Sequence, residues 1–146
     1  MIESVDENNL EDLLPLIRAY QEFYKIDAIN DDCNRKFFSQ FGKDSELGCQ
    51  FLYRDDSGTA VGFATIYFSF VSSIPAKVGI MNDLYTIPKC RSKGIGRSLI
   101  NHCLQYAVSR GSRRIQWITA TDNVQAQRLY DSVCSEKSSR VSYSLK

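Results

Sequence analysis

The pattern of apolar and polar positions along the chain predicts four helices and six strands. Apolar residues at helical spacing predict one helix from a cap at Asn8 or Asn9 to residue 24, helices over residues 34–41 and 96–110, and one from a cap at Asp122 or Asn123 to residue 133. Alternating or continuous apolar runs predict strands at residues 2–5, 49–54, 60–70, 78–86, 114–119 and 141–145. No repeat or linker divides the chain, so we expect a single domain over residues 1–146.

The order of these elements predicts the fold class. One strand and two helices precede three strands, and the first two of those strands are joined at residues 55–58 by a turn sequence typical of a hairpin. Helices and strands then alternate to the end of the chain. This order predicts an α/β (α+β) fold, in which a mixed sheet carries helices on its faces.

The first helix has one apolar side. The residues near that side are Leu10, Leu13, Leu14, Ile17 and Phe23. We expect this side to face the core. Pro15 falls inside the same pattern and predicts a late start or a kink, because proline removes a helical hydrogen bond.

Composition excludes several classes of protein. Of the 146 residues, 43% are hydrophobic, which is too many for a disordered chain. The formal net charge is +1, whereas a protein that binds nucleic acid is usually strongly basic. The longest apolar run, near residues 61–71, is too short to span a membrane, and the first residues do not resemble a signal peptide. We therefore expect a cytoplasmic protein that binds neither nucleic acid nor membranes.

The cysteines and the histidine give no metal site. The chain has five cysteines without a C-x-x-C pair and one histidine, and these lack the spacing of zinc ligands. His102 and Cys103 are adjacent on a predicted helix, so their side chains point in different directions and cannot easily pair. We expect buried, unreactive thiols in a reducing compartment, and no metal.

Acidic and basic residues are segregated along the chain. Residues 1–34 contain nine acidic residues and two basic ones, whereas residues 84–121 contain seven basic residues and no acidic one. Two solvated helix faces would produce this pattern. A site that takes an anionic group on one side and a cationic group on the other would also produce it.

The strongest chemical signal is a basic loop between the strand at 78–86 and the next helix. Its residues are Arg91, Ser92, Lys93, Gly94, Ile95, Gly96 and Arg97. The two glycines let backbone N–H groups approach a ligand, and the helix N-terminus adds partial positive charge. The loop therefore predicts a phosphate site, although a plain turn is the alternative. The P-loop and G-x-G-x-x-G patterns both fail here, because Arg97 follows Gly96 and Leu99 takes the place of the third glycine.

The loop resembles a signature of a known family. Arg91-x-x-Gly94-x-Gly96 is similar to the Q/R-x-x-G-x-G/A signature of the GNAT family of N-acetyltransferases, whose backbone amides cradle the acetyl-CoA pyrophosphate. The resemblance extends to both sides of the loop. Two further groups match, namely Leu84, Tyr85 and Thr86 at the strand end that pairs with the pantetheine arm, and Asn123, Ala126 and Tyr130 of the later N-x-x-A-x-x-x-Y segment.

The resemblance implies both a fold and a reaction. The fold is a mostly antiparallel, twisted sheet with one splayed parallel pair and helices on both faces. The reaction is direct transfer of the acetyl group from acetyl-CoA, as co-substrate, to a primary amine, without a metal. In this reaction a backbone N–H of the splayed strand polarises the carbonyl and Tyr130 protonates the departing thiolate. An amine that arrives protonated also needs a base, or a water chain leading to one, and Asp83, one residue before the strand end at Leu84, is the nearby carboxylate. The implied partner is a small-molecule or peptide amine, and a homodimer is compatible with the family.

Several of these residues also have a purely structural explanation. Tyr130 can pack under the sheet, Asn123 can cap a helix, and Asp83 can be a structural hydrogen-bonding group. Strand alternation places Asp83 and Tyr85 on one face and Asn82 and Leu84 on the other. The reserve carboxylates for deprotonating the amine are Glu22, Asp27, Asp31 and Asp32.

The acceptor side resembles the spermidine/spermine branch of the family. The similar segments are residues 61–64, 67–68 and 81–85. That branch typically has Glu-Asp where this chain has Asn82-Asp83, and the family usually has Gly-Phe at the position of Cys134-Ser135. The acidic first third favours a cationic acceptor, such as a diamine, an amino acid or a Lys-bearing peptide. The alternative function is a non-catalytic module that binds acyl-CoA for regulation.

Overall fold

A computed structural model describes residues 1–133 and 136–146 of the chain. The strands are β1 (Ile2–Ser4), β2 (Gly48–Arg54), β3 (Ala60–Val71), β4 (Ala76–Thr86) and β5 (Ile115–Gln116). The α-helices are α1 (Leu10–Phe23), α2 (Asp31–Phe38), α3 (Ile95–Ser109) and α4 (Val124–Val133). A 3-10 turn, Pro88–Cys90, joins β4 to the loop before α3.

The strands form one mixed sheet. Their order is β1-β2-β3-β4-β5, with antiparallel pairing from β1 to β4 and parallel pairing between β4 and β5. This arrangement confirms the predicted α/β (α+β) fold class with a parallel pair at one side. The chain crosses from β4 to β5 through α3, as a parallel connection requires.

Helices cover both faces of the sheet and bury a core on each. On one face, α1 and α2 pack on Leu52, Phe63 and Tyr85. On the other face, α3 packs on Ala64 and Ile66. Each fully buried side chain of this size contributes about 1.5–3 kcal/mol to folding. The sheet is therefore packed on both faces. The end of β4 beyond its short pairing with β5 remains accessible for a functional site.

The helix boundaries correct three predictions. Helix α1 begins at Leu10, so Pro15 lies inside it and does not delay its start. Phe23, predicted to face the core, is 52% exposed, because the buried side of the helix continues from Ile17 to Tyr20 instead. Helix α2 begins at Asp31, earlier than predicted, because the side chain of Asn30 accepts a hydrogen bond from the Cys33 N–H at 3.0 Å.

The C-terminal part departs furthest from the sequence prediction. Strand β5 has only two residues instead of six, and Ile118, predicted to be buried in it, is 89% exposed. The predicted strand at residues 141–145 is wrong, since these residues form no strand and Tyr143 is 90% exposed. Val141 and Leu145 are also exposed, so nothing in the described part of the chain buries the apolar side of this alternating pattern. Cys134 and Ser135, where the chain departs from the family pattern, lie outside the described residues.

The thiols follow the prediction in part. Cys49 and Cys103 are buried, and burial raises the pKa of each to about 12, so both are unreactive. Cys33, in contrast, is exposed, and Cys90 is partly exposed. Among residues 1–133 and 136–146, no helix has both the length and the apolar character to cross a membrane.

Candidate functional site

The main feature of the site is a gap in the sheet where β4 separates from β5. The two strands pair only at Gly79 with Ile115 and at Ile80 with Gln116, while β4 continues to Thr86. From residue 81 onward, β4 therefore pairs with β3 alone within the described part of the chain. This splayed parallel pair is the geometry that the family resemblance implied.

Backbone groups at the end of β4 point into this gap. The Ile87 N–H donates to Val61 O at 2.9 Å, which places Ile87 in a hydrogen-bonded pair with β3. Because hydrogen-bonding direction alternates along a strand, Tyr85 also bonds toward β3. The N–H and C=O groups of Leu84 and Thr86 consequently face the gap. An extended amide-containing molecule placed there can pair with them as an added strand would.

The N-terminus of α3 lies at the same end of β4. Its N-cap, Gly94, has φ +82°, a left-handed conformation that glycine adopts without strain, and it carries no side chain to cap the helix. The first intrahelical bond runs from Ser98 N to Gly94 O at 3.0 Å. The N–H groups of Ile95, Gly96 and Arg97 precede it and have no partner inside the helix. They form a concentrated donor set of the kind that binds phosphate.

The three basic residues of the loop have different surroundings. The Arg91 Nε donates to Thr86 O at 2.9 Å, and its guanidinium lies over the rings of Phe23 and Tyr85. Arg97 donates to Ser132 Oγ at 2.9 Å, which ties α3 to α4. Lys93 is exposed at the tip of the loop, next to the N-terminus of α3.

Helix α4 closes one side of the gap. A Cβ at Gly96 would lie 2.8 Å from Leu129 Cδ2 and 3.8 Å from Leu84 Cδ2, so these three residues converge where α3, α4 and β4 meet. The side chain of Asn123 accepts a hydrogen bond from the Ala126 N–H at 3.2 Å and thereby caps α4. The predicted capping role of Asn123 is confirmed.

Tyr130, the residue after Leu129 on α4, is partly buried. Its ring lies 5.3 Å from the Trp117 ring, edge to face, at the point where the chain has left β5. The tyrosine is therefore held beside the gap by an aromatic contact and by the helix that carries it.

Asp83 lies on the opposite face, under α1, and is 6% exposed. Burial raises its pKa, and interactions with Thr65, Tyr20 and Asn82 act in the opposite direction by favouring the charged form. The Asn82 Nδ2 donates to Asp83 Oδ1 at 3.1 Å. The predicted alternation is confirmed from Asp83 to Tyr85, since Tyr85 packs with the α1 cluster and Leu84 with the α3 cluster.

A bulge in β4 singles out Asn82. The register steps from Thr65 opposite Asp83 to Ile66 opposite Met81, so Asn82 is an extra residue in its strand. Asn82 is exposed, whereas Asp83 next to it is buried. The surface of the sheet therefore presents an amide at this point, with a carboxylate directly behind it.

Sequence reasoning missed the residues that surround Asp83. Tyr20 from α1 interacts with Asp83, and its own pKa is raised by burial and by that carboxylate. Thr65 of β3 lies directly opposite Asp83, and Gln50 of β2 lies directly opposite Thr65. The spacing of Tyr20 from Leu13 and Ile17 on α1 was the one signal that could have indicated it.

Many acidic residues of the N-terminal segment form ion pairs with arginines of the same chain, mostly at the surface. Its ion pairs, all at 3.1 Å or less, are Glu3 and Asp12 with Arg54, Glu11 and Asp32 with Arg35, and Asp31 with Arg18. Of the four reserve carboxylates, Asp31 and Asp32 are therefore engaged. Within the described residues, Glu22 and Asp27 take part in no such pair. The same part of the chain contains no cluster of His, Cys, Asp and Glu fit to hold a metal ion, and the expectation of no metal stays a prediction.

Comparison with known proteins gives a consistent result. The model of the "Acetyltransferase (GNAT) family" matches residues 12–134. The D-amino-acid N-acetyltransferase HPA3 of Saccharomyces cerevisiae is 28% identical over 143 residues, which cover 98% of this chain and 88% of that protein. The crystal structure of a probable acetyltransferase has 28% identity and a TM-score of 0.85, covering 100% of this chain and 97% of the other.

A more distant structure has the same fold. It is the aminoglycoside N-acetyltransferase AAC(6')-Iy in complex with CoA, with 19% identity and a TM-score of 0.81, covering 100% of this chain and 93% of that one. The gap at the end of β4 is therefore part of a fold that occurs in a CoA complex.

Proposed function

Because the chain belongs to the GNAT family of acetyltransferases, we propose that it moves the acetyl group of acetyl-CoA to the primary amine of a small cationic acceptor. One observation carries this proposal. The end of β4 has one edge that pairs with β3 and one edge without a neighbouring strand. This free edge and the N-terminus of α3 lie side by side, and both present backbone N–H groups that lack a partner in the sheet or in the helix. This arrangement suits a long molecule with amides in its middle and phosphates at one end.

The donor side of the site follows from this geometry. The N–H groups of Ile95, Gly96 and Arg97 would bind the pyrophosphate. The backbone of Leu84 and the N–H of Thr86 would pair with the pantetheine arm, since Thr86 O already accepts from Arg91. Lys93 would add a positive charge at the phosphate end. Acetyl-CoA supplies an activated thioester, and the protein supplies its orientation.

The transfer itself needs three contributions from the chain. A backbone N–H near the β4 bulge would donate to the carbonyl oxygen as negative charge develops there. The amine nitrogen forms a bond to the carbonyl carbon while the bond from that carbon to sulfur breaks. Tyr130 would give its phenol proton to the departing thiolate, and Asp83 would take the proton that the amine nitrogen loses.

The acceptor side lies between α1 and the exposed edge of the bulge. Asn82 is exposed there, with Asp83 behind it. Tyr24, which directly follows α1, is 45% exposed and contacts Tyr20. Glu22 and Asp27 leave negative charge near this end of α1. An amino acid or a short diamine fits this combination of carboxylates and aromatic rings, and similarity to a D-amino-acid N-acetyltransferase supports the amino acid.

Mass spectrometry of acceptor mixtures tests the proposal. The protein is incubated with acetyl-CoA and separate pools of D- and L-amino acids, diamines, aminoglycosides and lysine peptides. We expect acetylation of an amino acid or diamine. Binding of acetyl-CoA without any acetylated product would favour the non-catalytic acyl-CoA-binding module, and absence of binding would contradict the donor site.

The variant Tyr130→Phe tests the acid role on the acceptor found in this way. We expect kcat to fall about 100-fold with little change in acetyl-CoA affinity, because the variant lacks the proton that the thiolate needs. The matched control is Tyr106→Phe. Tyr106 lies on α3, away from the gap, and its hydroxyl donates to Lys43 O at 2.9 Å. Equal rates for the two variants would contradict the role of Tyr130.

A further inference from the structure

A row of buried polar side chains crosses the sheet beneath α1 and α2. Gln50 of β2, Thr65 of β3 and Asp83 of β4 are paired in register, so their side chains lie on one face as direct neighbours. Gln50 and Thr65 are each 0% exposed and Asp83 is 6% exposed. The hydrophobic residues on either side, such as Leu52 and Phe63, belong to the α1 core. A polar row in this place needs an explanation, since burying polar groups costs stability.

Gln50 has no partner for its side chain among the described residues. Neither its Oε1 nor its Nε2 lies within hydrogen-bonding distance of a described protein group. The Thr65 hydroxyl is close enough to Asp83 to favour the charged carboxylate, but it does not reach full hydrogen-bond geometry with any described group. Each such unpaired buried group lowers stability unless water satisfies it. Buried water typically bonds to groups of this kind.

The row ends near the surface at its Gln50 end. The Val5 N–H donates to Gln50 O at 2.9 Å, and Val5 also lines a cleft of about 530 Å³ together with Phe38 and Phe41. The Gln50 end of the row is therefore one backbone hydrogen bond away from a residue that lines this cleft. At the other end, Asp83 lies behind Asn82 and the candidate acceptor side.

We propose that Gln50 and Thr65 are positioning residues that, together with buried water, hold the Asp83 carboxylate ready to accept a proton from the acceptor amine. This inference rests on the proposed function. In the step concerned, an N–H bond of the amine breaks and an O–H bond forms on Asp83. The titratable groups that face Asp83 are Tyr20 from α1 and Tyr67 from β3, whose pKa values are raised by burial and then by this carboxylate. Neither carries a positive charge, so neutral polar groups favour the charged carboxylate, namely Thr65 of the row together with Tyr20 and Asn82.

Two substitutions remove the row without changing side-chain size greatly. Thr65→Val replaces the hydroxyl with a methyl group, and Gln50→Met replaces the amide with an apolar group. Thr65→Val should raise the pKa of Asp83, since Thr65 favours the charged carboxylate directly. Gln50→Met should raise it indirectly, by removing the amide that holds the proposed buried water. Thr65→Ser keeps the hydroxyl and should behave like the wild type. Ser112→Ala is the matched control, because Ser112 is another buried, unpartnered hydroxyl and lies beside the start of β4, far from Asp83.

The first measurement needs no acetyl transfer. The carboxyl carbon of Asp83 is titrated by NMR, with its signal assigned by comparison with Asp83→Asn. We expect the midpoint to move up by about half a pH unit or more in Gln50→Met and Thr65→Val, and to stay in place in Thr65→Ser and Ser112→Ala. An unchanged midpoint in the first two variants would overturn the inference.

The second measurement follows the acid limb of the kcat/KM profile with the acceptor that the wild type uses. We expect this limb to move to higher pH by the same amount as the NMR midpoint. A midpoint that moves while the limb stays would also overturn the inference, because Asp83 would then not be the proton acceptor. Failure of the proposed function itself would be seen separately, as absence of acetylation by the wild type.

Discussion

At the scale of single residues, the site depends on how one strand divides its side chains between two faces. Alternation predicted that Asp83 would lie on the same face as Tyr85, and the structure confirms it. The bulge that exposes Asn82 was beyond prediction, because a register shift depends on the pairing between β3 and β4 and leaves no mark in either sequence. The same limit applies to Gln50, whose position opposite Thr65 comes from the register of two strands.

The buried carboxylate of Asp83 should make stability depend on pH. Burial raises the pKa of Asp83 in the folded state above that of the unfolded chain, about 3.9. Its contribution to stability is therefore fully present below that value and is lost as pH rises through the folded-state pKa. Asp83→Asn removes this loss, so we expect the Tm of the variant, relative to the wild type, to be higher at pH 8 than at pH 4.

Thermal unfolding at several pH values measures this difference. Asp56→Asn is the control, because Asp56 is exposed and its replacement removes the same charge without changing the core. A Tm difference that does not change with pH for Asp83→Asn would contradict the burial effect.

At the scale of elements, α4 is positioned by two residues with different tasks. Asn123 fixes where the helix begins, and Leu129 fixes how closely it approaches α3. The sequence indicated the cap, since Asn is a favoured N-cap residue. The sequence explained Gly96 only in part, as a glycine that lets the backbone approach a phosphate. The structure adds a second reason, because Leu129 occupies the space where a Cβ of residue 96 would lie.

Asn123 allows capping to be separated from cofactor binding. Asn123→Ser keeps an oxygen that can accept from Ala126 N–H, so we expect a stability close to that of the wild type. The Ser variant loses the amide that the family resemblance places against the acetyl-CoA arm. We therefore expect acetyl-CoA to bind about 5-fold to 10-fold more weakly, equivalent to about 1 kcal/mol.

Isothermal titration calorimetry and chemical denaturation together measure the two effects. Asn123→Ala is the comparison variant, since it should lose both the affinity and about 1 kcal/mol of stability. If Asn123→Ser binds acetyl-CoA as tightly as the wild type, Asn123 acts as a cap alone.

The contact between α3 and α4 predicts strong coupling between Gly96 and Leu129. Gly96→Ala alone places a methyl group 2.8 Å from Leu129 Cδ2, so the end of the leucine side chain must shift. We expect this overpacking, at about 1–3 kcal/mol, to cancel or exceed the gain of about 1 kcal/mol from replacing a helical glycine. In a Leu129→Ala background the methyl group has room, and the same substitution should stabilise the protein.

A double-mutant cycle by chemical denaturation measures this coupling. We expect an interaction free energy of about 1–3 kcal/mol between the two positions. Additive effects would mean that Leu129 does not pack on Gly96 in solution.

At the scale of the whole molecule, the basic and the acidic segments have different roles. Several basic residues lie near the N-terminus of α3, whereas several acidic residues form ion pairs with arginines of the same chain. The sequence predicted both segments but could not show that Arg35 and Arg54 neutralise part of the acidic one, because those pairs join residues far apart in the chain. It predicted a last strand at residues 141–145 for the same kind of reason: alternation indicates a possible buried face but not whether a partner exists. The helix cap at Asn123 and the alternation at Asp83 could be predicted from neighbouring residues. The pairing of residues far apart in the chain could not.

The basic end gives a prediction about which charges bind acetyl-CoA. Arg91 and Arg97 already donate to Thr86 and Ser132, whereas Lys93 is exposed beside the N-terminus of α3. Arg113 lies beyond the other end of this 15-residue helix. At a rise of 1.5 Å per residue, that end is about 20 Å away, which is about two Debye lengths at 0.1 M salt. Lys93→Gln should therefore weaken acetyl-CoA binding about 2-fold to 5-fold and reduce its salt dependence. Arg113→Gln removes the same charge and should leave both the affinity and its salt dependence unchanged.

Calorimetric titration of each variant with acetyl-CoA at two salt concentrations measures these effects. Equal losses of affinity in the two variants would mean that the net charge of the molecule, not the local site, attracts the phosphates.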